Sequence, residues 1–157
     1  MSCQTEKRLS RYSDTVGDIQ FDEKLDDPDF QKCGAAKDTP FSFQYYQGVR
    51  GFNYKGEKIE IVEKLGKENI YSEKNVNGYI TVRFLVNCEG KTGLFRLQPM
   101  SPDLKDTVLD VELEDKLLKF TKSLNGWMPN EIKGFKVDYY QYLTYKIENG
   151  KVSEVLP

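Results

Sequence analysis

The sequence has no histidine. Without an imidazole there is no Ser–His or Cys–His nucleophilic pair and no His-ligated metal site, and the commonest general base near neutral pH is missing. Long hydrophobic runs are lacking too, since no stretch approaches the ~18 apolar residues that mark a membrane-spanning helix. Neither sign of charge dominates: 23 basic and 25 acidic residues leave a net charge of −2, without the basic stripe of a general nucleic-acid binder. Cysteine is scarce, and Cys3, Cys33 and Cys88 lie too far apart for a CxxC redox or zinc pattern. These absences argue against an enzyme, a nucleic-acid partner and a metal, and no cofactor is expected.

What remains is a chain of 157 residues, long enough for one domain with a real core. Aromatic residues make up 13%, too many for a disordered chain. Residues 1–27 are polar and read as a flexible tether, with the acidic, turn-like run Asp22–Asp29 as a solvated loop. Residues 28–69 read as an extension that packs on the domain formed by 70–157. Cys33 and Cys88 make one disulfide in an exported protein and two buried thiols in a reducing compartment.

Hydrophobic periodicity gives the elements. Ile59, Val62 and Leu65, with Ile61 beside them, predict one face of a short helix from Glu57 that stops at Gly66. Ile80, Val82, Phe84 and Val86 alternate with Tyr79, Thr81, Arg83 and Leu85, which predicts a strand with one buried face. Asn87–Gly90 is a turn, and Lys91–Gln98 returns with Arg83 and Arg96 on one solvent face. Leu113, Leu117, Phe120 and Leu124 predict a helix of about four turns, ended by Asn125-Gly126. Phe135, Val137, Tyr139, Gln141, Leu143, Tyr145 and Ile147 predict one face of a single long strand. Asn149-Gly150 then suits a type I′ turn into a last strand, Val152–Leu156. The expected fold class is α+β, two helices packed on an antiparallel sheet.

Gly78-Tyr79-Ile80-Thr81-Val82-Arg83-Phe84-Leu85-Val86-Asn87 followed by Glu89-Gly90-Lys91 resembles the first hairpin of the TonB C-terminal domain family. The helix from about Asp110 to Leu124 is similar to that family's helix. Gly126-Trp127-Met128-Pro129 and Gly134-Phe135-Lys136-Val137 resemble its Trp- and Pro-bearing loop and long strand. The resemblance covers about Ile70 to Pro157 and looks most like small envelope proteins of the Bacteroidetes type. It implies a periplasmic or envelope module that binds a partner peptide by β-augmentation, linked to outer-membrane transport. The partner implied is an outer-membrane transporter or its Ton-box peptide. The resemblance also implies that Cys3 is a lipid-bearing cysteine of an outer-membrane lipoprotein whose signal region is not in this sequence, against an ordinary cysteine in a cytosolic terminus. The membrane is then reached only through that anchor. The sequence carries neither the membrane helix nor the Pro-rich spacer of a full transducer, so energy transduction by the usual route is not expected.

Under that reading the docking edge is Lys151, Val152, Ser153, Glu154, Val155 and Leu156, unless the segment around Phe41–Gln47 covers it. An alternative is a structural or assembly lipoprotein that binds another protein through Tyr139, Tyr140, Tyr142, Tyr145 and Trp127, with Tyr45 and Tyr46 nearby. An enzyme would have to draw on Asp110, Glu112, Glu114 and Asp138, where Asp110 and Glu114 share a solvated helix face.

Overall fold

A computed structural model describes residues 17–33, 42–44 and 52–156. Cys3, Tyr45 and Tyr46 lie outside the described residues. The elements in chain order are α1 (Glu57–Lys67), β1 (Gly78–Val86), β2 (Thr92–Met100), α2 (Val111–Ser123), β3 (Asn130–Ile132), β4 (Phe135–Val137), β5 (Tyr139–Glu148) and β6 (Lys151–Leu156). β2, β1, β5 and β6 form, in that order, a four-stranded antiparallel sheet, and β3 and β4 form a separate small hairpin. The fold is α+β.

The alternation in β1 builds the main core. Ile80, Val82, Phe84 and Val86 turn to the face shared by Leu143, Tyr145 and Ile147 of β5. Leu113, Leu117 and Phe120 of α2 close that face, as their spacing predicts. Trp127 enters the same core, ringed by Phe52, Tyr54 and Phe84 in edge-on contacts. α2 has no side-chain cap from Asp110. Glu114 reaches back instead and accepts the Leu109 N–H at 2.8 Å, which satisfies an N-terminal donor in the manner of a capping box. The Asp110 carboxylate is thereby left to the loop after α1, where it accepts the Ser72 hydroxyl and the Lys74 ammonium.

Four expectations change. The buried residue of α1 is Ile61, whereas Ile59 is 61% exposed and Val62 is also exposed; the helix runs through Gly66 to Lys67. Four apolar residues cover more than one side of this helix, so tertiary contact rather than periodicity chooses the inner side. The long strand is broken at Asp138 into β4 and β5, and Phe135 points out at 64% exposure. The break follows from Asp138, whose carboxylate accepts both the Cys33 and Cys88 N–H groups while its carbonyl accepts the Phe43 N–H. Arg83 and Arg96 do pair across β1 and β2, but their face is covered rather than solvated. Residues 17–27 do not behave as a tether: they lie on that face, with Ile19 buried against Leu85, Leu94 and Tyr140.

The β5–β6 turn has Asn149 and Gly150 at φ 51° and 74°, the left-handed pair that a type I′ turn needs. The loop after α1 wraps it: Ser72 N–H donates to the Gly150 carbonyl, and Gly150 N–H donates to the Val76 carbonyl. A Cβ at Gly150 would meet the backbone oxygens of Ser72 and Lys74 at 2.3 and 2.5 Å. Gly150→Ala is therefore expected to destabilise the domain by about 2 kcal/mol or more, combining left-handed strain with a backbone clash. Chemical denaturation measures it; a loss under 0.5 kcal/mol on the same order-of-magnitude scale contradicts this packing.

Candidate functional site

The sheet has two outer strands, and they differ in chemistry. β2 contains Pro99, which has no N–H to donate, and its end folds back through a Met100–Asp106 bridge. β6 is bridged on its outer side only at its start, by Tyr71 to Lys151, among the described residues. The next residues of that edge, Val152–Val155, line a groove of about 540 Å³ shared with α1. Val62, Leu65 and Ile70 form its apolar wall opposite Val152 and Val155. Lys58 and Lys151 also line it and form no ion pair within the described residues. Glu154 instead lies across from Lys146 of β5.

The groove explains why α1 leaves Val62 in solvent: that side chain faces the groove rather than the core. Val62, Leu65 and Ile70 were not singled out in the sequence as parts of a docking site. The available signal was the apolar excess on α1, more than its single inward face needs. The segment that would cover the edge does not do so where it is described. Phe43 pairs in parallel with Tyr139, at the far end of β5 beyond β6, and its carbonyl accepts the Tyr140 N–H at 2.9 Å.

The tyrosine surface is not a surface. Tyr139, Tyr140, Tyr145 and Trp127 are all buried, because both faces of β5 are covered; only Tyr142 is partly open. The Tyr139 hydroxyl donates to the Met128 carbonyl at 2.7 Å, and Tyr145 shares a 2.8 Å hydrogen bond with Thr121. Burial pushes both phenols well above their ordinary pKa. The carboxylates considered for catalysis are engaged structurally. Asp110 and Glu114 are buried rather than solvated and tie the start of α2 to its surroundings, and Asp138 holds the cysteine backbones. Glu112 is exposed and pairs with Lys116.

Cys33 and Cys88 are joined by a disulfide with Cα atoms 5.8 Å apart. It fixes residues 17–33 to the turn between β1 and β2. A second tie lies further back, where Arg96 grips Asp26 with both nitrogens, at 2.7 and 2.8 Å. The Asp26 side chain is 1% exposed and that of Arg96 10%. The acidic run is thus turn-like as expected, but one of its members is buried for this contact.

No protein-family model matches the chain, and searches of curated proteins and of solved structures return no match. Among the described residues, no helix is long and apolar enough to cross a membrane.

Burial alone would raise the Asp26 carboxyl, but the Arg96 guanidinium and the Asp22 N–H outweigh it and hold it below its ordinary 3.8. A depressed folded-state pKa contributes stability that is present above 3.8 and disappears as pH falls through the lowered value. Acid is therefore expected to loosen residues 17–33 only below that range, as read from amide exchange against pH. Asp26→Asn removes the buried negative charge that Arg96 grips, and should cost about 3 kcal/mol at pH 7 and flatten this acid dependence. An unchanged pH profile in the variant contradicts the assignment.

Proposed function

We propose that this chain is a protein-binding module of the cell envelope with a TonB C-terminal-like domain, and that it takes an extended partner peptide onto the outer edge of β6. The observation that carries the reading is that, among the described residues, the outer backbone edge of Val152–Leu156 is unpaired, beside the apolar groove against α1. An unpaired edge supplies main-chain donors and acceptors, and a groove alongside selects alternate side chains of the added strand. The order of helices and strands supports the family reading. The Cys33–Cys88 disulfide supports an oxidising compartment, periplasm or outer membrane, with Cys3 as the lipid anchor. The partner is the Ton-box peptide of an outer-membrane transporter, and the role is docking rather than catalysis.

So short an edge implies a weak complex, with a dissociation constant on the order of 100 μM. Titration of isotope-labelled protein with synthetic Ton-box peptides, followed by amide shifts, tests it. Saturable shifts along Val152–Leu156 and on Val62 and Leu65 are expected. Val62→Glu places a charge on the groove wall at an exposed helix position, so the fold is kept while affinity falls about tenfold. Absence of shifts at millimolar peptide overturns the reading.

A further inference from the structure

Residues 17–33 cross the second face of the sheet in an unusual way. Among the described residues they form no ladder with any strand, and they are held by separate anchors. Ile19 sinks to 1% exposure between Leu85, Leu94 and Tyr140, and its N–H donates to the Tyr140 hydroxyl at 2.8 Å. Arg83, stacked on the Tyr140 ring at 4.3 Å, donates to the Gly17 carbonyl. Arg96 takes Asp26 and the Gln20 carbonyl. Phe30 lies over Gly93, where a Cβ would come within 2.3 Å of its ring. Between Ile19 and Asp26 every side chain points to solvent. At the far end sits the disulfide, with Cys33 exposed and Cys88 half-buried.

We propose that residues 17–33 are a releasable cover on the second face of the sheet, latched by the Cys33–Cys88 disulfide, so that reduction of that bond opens the face. A segment tied by side chains at intervals, without a ladder, opens as a local unit, whereas β1 and β5 open only with the whole domain. The latch is reachable from the Cys33 side. A dithiol reductant attacks one sulfur, the Cys33–Cys88 bond breaks, and both sulfurs end as thiols; the reductant supplies two electrons and two protons and is itself oxidised to a disulfide. Reduction removes the covalent restraint on the cover, leaving it held reversibly by Ile19, Phe30, the Arg83 and Arg96 contacts, and the hydrogen bonds of Gln31 to Asn87 and of Cys33 to Asp138. The face uncovered is Leu85, Leu94 and Tyr140, flanked by Arg83 and Arg96. None of these contacts involves β6, so the inference stands apart from docking there.

The test is amide hydrogen exchange on the full chain, oxidised and then treated with dithiothreitol, with thiols counted by alkylation and mass. The amides of Ile19, Asp26 and Phe30 are expected to exchange at least tenfold faster after reduction, while those of β1 and β5 stay within twofold. Binding of an apolar dye should rise in parallel. The double variant Cys33→Ser, Cys88→Ser should show the same pattern without reductant. Two results overturn the proposal: cover amides that keep their oxidised rates in fully reduced protein, or cover and β1–β5 amides that accelerate together, which makes the bond a staple for the whole domain.

Discussion

The pairing of β1 with β5 runs unbroken from Gly78–Ile147 to Val86–Tyr139. The other described elements are placed against it. Because the two strands are central, each presents two faces, and both faces carry residues that cannot stay in water. Helices α1 and α2 answer one face with Ile61, Leu113, Leu117 and Phe120. On the other face, Leu85 and Tyr140 require a cover, and residues 17–33 supply it. The same pairing pushes β2 and β6 outward as edges.

The two edges have been treated differently. On β2, Pro99 and a folded-back end make a poor template for another chain. On β6, among the described residues, the loop after α1 bridges only the first residue, and α1 stands off far enough to leave an apolar channel. A protein that merely needed to blunt an edge would bring α1 onto β6 and bury Val62 there. The geometry keeps the strand firm, through the Gly150 turn and the Asp110–Ser72–Lys74 cluster, and among the described residues nothing pairs with its outer side beyond Lys151.

Much of this was legible in the residues. The alternation from Ile80 to Val86, the stripe from Leu113 to Leu124 and the Asn149-Gly150 turn each express a local rule, and each element appears as read. What could not be read depends on contacts distant in sequence. The inner face of α1 is set by what it packs against, and Ile61 wins over Ile59 only in that context. Strand β5 starts where Asp138 must gather Cys33, Cys88 and Phe43, partners 105 and 50 residues away for the cysteines. Asp26 looks like its acidic neighbours until Arg96 arrives from β2. Tyrosines along a strand suggest a binding surface, but the helix-side core takes in Tyr139 and Tyr145 while residues 17–33 cover Tyr140 on the other face. The edge at β6 was expected from the family resemblance, whereas its groove was not, since Val62, Leu65 and Ile70 acquire that role only by standing opposite Val152 and Val155.

The most direct test of the central claim is the geometry of the bound state. Cross-strand Hα–Hα and amide contacts, measured by isotope-filtered NOE between an unlabelled Ton-box peptide and the labelled protein, report which strand the peptide joins. The account predicts contacts between the peptide backbone and Val152–Leu156, with peptide side chains touching Val62 and Leu65. Contacts to β2 instead, or a bound peptide that makes no backbone contacts with β6, would contradict it.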